Sequence, residues 1–151
     1  MIELKNDDLR VKVNEHGAEL SSVQSVDDKI EYMWQADPKF WGRHAPVLFP
    51  IVGRLKDDQY TVNGKTYHMT QHGFARDMDF MVIEHEDDHA VFQLNATDET
   101  REKYPFDFDL RVSFTLEAHT RSVHYTVTNP SSDVTLPFSI GGHPAFNVPL
   151  E

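Results

Sequence analysis

The sequence predicts an all-β protein, an antiparallel β-sandwich, and three observations support this fold class. Apolar and polar residues alternate along 108–117, so an extended chain would have one apolar face and one polar face. The pair Asn63-Gly64 lies between two alternating arms, as in a hairpin with a type I′ turn. Turn residues recur at short intervals, and almost no segment has helical periodicity.

Shorter segments bounded by turn residues extend this prediction along the chain. The pair Asp37-Pro38 begins at most one helical turn, and 97–103 predicts a second single turn because acidic residues precede basic ones. The other strands are expected at 9–13, 18–26, 30–34, 59–62, 65–68, 80–85, 90–96 and 123–127, and a turn at 129–132 leads into a further segment at 134–140.

The composition limits the classes of partner. The chain has 14 basic and 25 acidic residues and a formal net charge of -11, which argues against nucleic acid and anionic membrane surfaces. It has no cysteine, which excludes disulfides, a thiolate nucleophile and a cysteine-based zinc site. The N-terminal residues lack the apolar segment of a signal peptide, and no apolar stretch could span a bilayer, so we expect a cytoplasmic protein.

The nine histidines raise the question of a metal site. His68 and His72 are four residues apart, as ligands on one helical face would be. They flank a predicted strand end between Gly64 and Gly73, so helical spacing does not apply and we predict no metal ligands. His85, His89, His119 and His124 lie in predicted turns or on polar strand faces, where solvated side chains are expected.

His72 and His143 differ from the other histidines because each lies in a glycine-containing turn close to a phenylalanine. Histidine can donate or accept a proton at cellular pH, and Arg54 and Arg76 can bind hydroxyl or anionic groups. Aromatic rings with such polar groups suit a sugar, although residue types alone leave other small ligands open.

Four motifs in order make the chain resemble the aldose 1-epimerase (galactose mutarotase) superfamily. None is very specific alone, but together with 31–34 and 40–41 the resemblance spans essentially the whole chain. The four motifs are Phe-Pro-Ile-Val-Gly-Arg at 49–54, Tyr-Thr-Val-Asn-Gly-Lys-Thr-Tyr at 60–67, Gln-His-Gly at 71–73 and Gly-His-Pro-Ala-Phe-Asn at 142–147.

The resemblance implies a galactose mutarotase-like supersandwich and a cofactor-free reaction on a small-molecule sugar. In that family a base takes the C1 hydroxyl proton while an acid protonates the ring oxygen, and the opened sugar recloses as the other anomer. By position, His143 matches the acid, His72 the second, sugar-binding histidine and Arg54 the substrate-binding arginine. Phe146 and Asn147 follow in the same motif as further binding candidates, with Asn147 supporting the loop.

The chain departs from the best-characterised galactose mutarotases in two ways. Residues 73–77 read Gly-Phe-Ala-Arg-Asp, which resembles a divergent branch that includes hexose-6-phosphate epimerases and makes Arg76 a candidate phosphate ligand. The family's catalytic glutamate and a substrate-binding aspartate lie well after the second histidine motif, and the final Glu151 has no matching context.

We therefore expect 1–151 to be the N-terminal part of one mutarotase-like β-sandwich domain, without an internal boundary. It would carry the acid and substrate-binding half of the site and be weak or inactive alone. Exposed strand edges predict a homodimer or association with the missing C-terminal segment. A non-catalytic sugar-binding sandwich and a purely structural subunit remain the alternatives.

Overall fold

The computed structural model describes residues 1–148, which form antiparallel sheets with little helix. The α-helix α1 covers Asp98–Lys103, and two short 3-10 helices cover Lys56–Asp58 and Ala75–Asp77. The strands are β1 (Ile2–Lys5), β2 (Leu9–Asn14), β3 (Glu19–Ser25), β4 (Val47–Leu48), β5 (Gln59–Val62), β6 (Lys65–His68), β7 (Met81–His85), β8 (His89–Asn95), β9 (Asp109–Glu117), β10 (Thr120–Thr128) and β11 (Gly141–Gly142).

Two larger sheets contribute to one hydrophobic core. One has three strands in the order β1-β2-β3, and the other has four in the order β10-β9-β8-β7. Val11 and Val13 of the first sheet and Val112 and Phe114 of the second belong to the same buried cluster. Two-stranded pairs, β11-β4 and β5-β6, complete the described fold. The expected all-β antiparallel architecture is confirmed.

The local predictions with a clear stereochemical basis are confirmed. Asn63 and Gly64 have φ of 49° and 79° between β5 and β6, as a type I′ turn requires. Thr97 caps α1 by accepting the Thr100 amide, while the Thr100 hydroxyl accepts the Thr97 amide.

The segment 134–140 forms no strand. The expected strand at 30–34 is wrong. Only isolated bridges form there, from Glu31 to Gln24 and from Met33 to Phe146. The Glu31 carboxylate accepts the backbone amides of Val23 and Met33, so a side chain replaces part of the β-ladder.

The first strand, β1, was not predicted. Its four residues pair with β2 but contain only two apolar side chains, Ile2 and Leu4, which is too short an alternation to recognise.

In the part of the chain that the structure describes, no helix is long and apolar enough to cross a membrane.

Candidate functional site

The two histidine motifs are held on the segment that contains β4 and the Gly-Arg turn after it. The His72 amide donates to the Gly53 carbonyl at 2.8 Å, and the Gly53 amide donates to Nδ1 of His72 at 3.0 Å. On the same segment β11 pairs with β4, and the His143 amide donates to the Pro46 carbonyl at 3.2 Å. Residues far apart in sequence therefore meet through backbone hydrogen bonds.

Gly73 allows the His72 turn to approach this segment closely. It has φ of 72°, and a Cβ at this position would lie 2.2 Å from the Phe49 carbonyl oxygen. That oxygen accepts the amides of Phe74 at 3.0 Å and Ala75 at 3.2 Å. Only glycine satisfies both the positive φ and the contact, which explains glycine after His72.

The hydrogen bond from Gly53 determines the tautomer of His72. Because Nδ1 accepts a backbone amide, the proton of the neutral ring is on Nε2, and the Gln71 amide nitrogen 3.2 Å away, itself a donor, is not an acceptor for it. Burial, followed by the nearby charges of Arg76 and His143, lowers the pKa of His72 from 6.5. His72 is therefore a neutral ring at pH 7, with Nε2–H as its hydrogen-bond donor.

His143 is exposed and lies next to His72. The centroids of the two rings are 6.4 Å apart, and the His143 ring is 5.1 Å from that of Trp41. His143 also lines a cavity of about 200 Å³ between the two larger sheets, which His72 does not line. An exposed imidazole beside an aromatic ring can exchange protons with a bound ligand.

A buried carboxylate supports the loop that faces His143. Glu19 is 9% exposed, and its carboxylate accepts the backbone amides of His44 and Ala45. The His44 carbonyl in turn accepts the amide of Ala145 at 2.9 Å. These contacts connect β3, through His44 and Ala45, to the chain just after His143.

The two arginines have different environments. Arg76 is half-buried, donates from Nη2 to the Gln71 carbonyl at 2.8 Å, and has a buried Nε without a hydrogen bond to any described residue. Arg54 is exposed and donates twice to the Asp58 carboxylate, each at 2.8 Å. Arg76 lies near His72, and its Nε is 3.7 Å from the Asp77 carboxylate, too far for a hydrogen bond, whereas Arg54 makes two hydrogen bonds to Asp58.

Phe146 and Asn147 lie on the other side of the second histidine motif. Phe146 bridges to Met33 and lines a cavity of about 390 Å³ with Tyr32 and Arg121, away from His72. The Asn147 side chain donates to the carbonyls of Glu31 at 2.9 Å and Met33 at 2.8 Å. Asn147 therefore supports the loop through its backbone contacts.

Trp41 is the residue of this site that the sequence did not indicate. Its position 102 residues before His143 conceals the contact between the two rings, and the only signal is the aromatic pair Phe40-Trp41.

Within residues 1–148, no group of three or more His, Asp or Glu side chains is arranged to hold a metal ion.

Several known proteins are similar to this chain in sequence and fold. The chain has a TM-score of 0.96 and 46% identity to a galactose mutarotase-like protein from Lactobacillus casei, and 0.95 and 48% to a galactose mutarotase related enzyme from Lactobacillus acidophilus. It is 38% identical over 154 residues to protein LacX of Lactococcus lactis.

These matches cover different shares of this chain and of its relatives. They cover 99% or 100% of this chain, but only 49% to 51% of each relative. The chain thus spans about half the length of the proteins it matches. The family described as aldose 1-epimerase matches over residues 1–151. On this evidence, the chain belongs to the aldose 1-epimerase family.

Proposed function

We propose that this chain contributes the acid and sugar-binding half of a site that interconverts the α and β anomers of a hexose or hexose phosphate. The observation that carries the proposal is the pair of imidazole rings, 6.4 Å apart, with Trp41 against one and Arg76 close to the other. An aromatic ring suits a sugar C–H face, and imidazole and guanidinium groups suit its oxygens.

The two histidines take different parts in the proposed reaction. His143, which is exposed, donates a proton to the ring oxygen as the C1–O5 bond breaks, and takes it back on reclosure. Nδ1 of His72 continues to accept the hydrogen bond from the Gly53 amide, and Nε2–H donates to a sugar hydroxyl. Arg76 binds a further hydroxyl or a phosphate. Arg54 can bind the ligand when a ligand oxygen replaces the Asp58 carboxylate as its acceptor.

Ring opening also needs a base for the C1 hydroxyl proton. The resemblance places this base at a glutamate that follows the second histidine motif, beyond residues 1–148, and this chain covers only about half of each relative. We infer that the base is a carboxylate supplied from outside these residues, so the chain alone is a slow catalyst. The same observation supports a second candidate, a module that binds sugar without turnover.

Exchange NMR on the anomeric protons of glucose, galactose and glucose 6-phosphate tests the proposal. The chain is measured alone and co-expressed with the half of the Lactobacillus casei relative that it does not cover. We expect near-buffer exchange alone and acceleration by the complex, reduced at least about a hundredfold by His143→Ala because general acids contribute that much or more. His85→Ala, at an exposed histidine on β7, is the matched control.

Two outcomes would contradict parts of the proposal. Fast exchange by the chain alone, lost in His143→Ala, would show that no outside base is needed. A complex that broadens the sugar signals without exchanging the anomers would favour the binding module.

A further inference from the structure

Strand β10 places a row of side chains on the core-facing side of its sheet. Directly opposite residues of an antiparallel pair share a face, and the register joins Arg121 to Leu116, Val123 to Phe114, Tyr125 to Val112 and Val127 to Leu110. The β9 members of these pairs belong to the core. The face of β10 formed by Arg121, Val123, Tyr125 and Val127 is called the β10 face below.

The two strands differ sharply in burial. The four β9 side chains are at most 3% exposed, whereas Tyr125 is 38% exposed and its neighbours on the β10 face are only partly buried. β10 is also the last strand of its sheet, so one edge has no strand partner among residues 1–148. The fully buried side chains therefore end at β9, Val123 and Val127 of β10 pack only partly against the core, and β10 has a free edge.

Arg121 is the one charged residue on the β10 face. It lines both the cavity beside His143 and the cavity beside Phe146, and burial lowers its pKa from the usual arginine value. Arg121 forms no ion pair among residues 1–148, although Asp8, which lies 3.5 Å from His119, lines the cavity beside Phe146 with it. A half-buried guanidinium without an ion pair among the described residues, in a chain of net charge -11, favours a further acceptor.

These features determine the chemistry of a suitable partner. The apolar residues and the free edge fit another β-strand with apolar side chains, and Arg121 fits a carboxylate on it. A second copy fits poorly, because a symmetric contact would bring a second unpaired Arg121 and no carboxylate on the same face. The relatives, about twice as long as this chain, contain a further polypeptide half of sufficient size.

We propose that the β10 face binds a polypeptide equivalent to the half of the relatives that this chain does not cover, and that a carboxylate of this polypeptide pairs with Arg121. The interface does not depend on any catalytic role. It does have a consequence for the proposed site, because Arg121, Val123 and Tyr125 also line the cavity beside His143. The partner would close that cavity.

The test uses the full chain, affinity-tagged and co-expressed with the uncovered half of the Lactobacillus casei relative. Sedimentation of the purified complex over a dilution series gives the Kd. We expect Arg121→Met to weaken binding at least about tenfold, since truncating one member of a buried charge pair has effects of this size or larger. Arg121→Glu should weaken it further, because it places like charges together.

The matched control is Arg111→Met on β9, an exposed arginine paired with Asp109, which should change the Kd less than about twofold. Circular dichroism of each variant alone establishes that it folds. Hydrogen exchange gives an independent measurement: amides of 120–128 should be protected at least about tenfold more in the complex, while those of β7 at the opposite edge stay unchanged.

Several results would overturn the proposal. These are failure of the wild-type chain to form the complex, unweakened binding by both Arg121 variants, or protection that omits β10. A stable dimer of the chain alone, with β10 protected in that dimer, would assign the face to a second copy. Loss of anomer exchange with binding intact would contradict only the proposed function.

Discussion

His72 and His143 belong to the same histidine pair, but their environments suit different tasks. The ring of His72 is fixed by the Gly53 amide, and burial, then the charges of Arg76 and His143, lowers its pKa, so it is held neutral with one free donor. His143 is exposed and contacts Trp41 through its ring. A fixed donor suits binding, and an accessible imidazole suits proton transfer.

The lowered pKa of His72 predicts a pH dependence of stability. The unfolded chain takes up this proton near pH 6.5, whereas the folded state takes it up only at lower pH. The stability that neutral His72 contributes to the folded state is therefore complete above pH 6.5, and it is lost as the pH falls through the lower, folded-state pKa. Urea unfolding between pH 7.5 and 5 should show this decrease, and His72→Asn should reduce it. An unchanged pH dependence in the variant would contradict the prediction.

Asn147 predicts a coupling between loop support and ligand binding. Asn147→Ala removes two hydrogen bonds to the carbonyls of Glu31 and Met33 and should lower the free energy of unfolding by about 1 to 2 kcal/mol. Urea unfolding measures this, with Asn95→Ala at the exposed end of β8 as the control. Sugar affinity of the Asn147 variant should fall as well. Equal effects of the two substitutions would contradict the role of Asn147 in supporting the loop.

At the scale of elements, the site depends on turns that are connected by backbone contacts. The turn that carries His72 and the turn that carries His143 each bond to the segment around β4. Neither turn has a long regular element of its own next to the histidine. Small backbone changes at these contacts should therefore move the rings more than changes within the sheets would.

A comparison of Gly73 with Gly64 distinguishes the cost of a close contact from the cost of a positive φ. Both have positive φ, 72° and 79°, but an added Cβ meets the Phe49 carbonyl at 2.2 Å in one case and nothing within 4 Å in the other. Gly64→Ala should cost about 1 kcal/mol of unfolding free energy, and Gly73→Ala at least about 2 kcal/mol more. Urea unfolding measures the difference, and NMR shifts of His72 should change only in Gly73→Ala.

Similar losses in the two glycine variants would contradict the close approach between the His72 turn and Phe49. In that event positive φ alone would account for glycine at position 73.

For the whole molecule, the described sheets bury one core and leave β10 partly uncovered. The chain alone therefore combines an exposed apolar strip with a sequence pI of about 5.1. Charge repulsion keeps such a molecule dispersed at neutral pH and fails near the pI.

This combination predicts association of the isolated chain close to pH 5. Light scattering from pH 8 to 5 should rise steeply near the pI of about 5.1. Tyr125→Thr, which shortens the most exposed apolar side chain of the β10 face while keeping a residue that suits strands, should weaken the rise. Met81→Thr on β7 is the control at another exposed apolar position. A rise that both variants leave unchanged would contradict the role of the β10 face.

Much of the fold could be predicted from particular residues. Asn63-Gly64 and the alternation of β9 determine a turn and a strand through local backbone geometry and side-chain period, and both are confirmed. The segment 30–34 has an equally suitable pattern, but the Glu31 carboxylate competes for the backbone amides there. Local pattern is reliable where no side chain competes with the ladder.

The sequence by itself determined the fold class, the family and the residues to examine, because alternation, turn chemistry and motif order are written along the chain. Only the tertiary structure decided which nitrogen of His72 is free, that Trp41 contacts His143, and that Arg121 faces the core side without an ion pair among residues 1–148. The physical reason is that a tautomer, a ring contact and a desolvated charge each depend on neighbours that are distant in sequence.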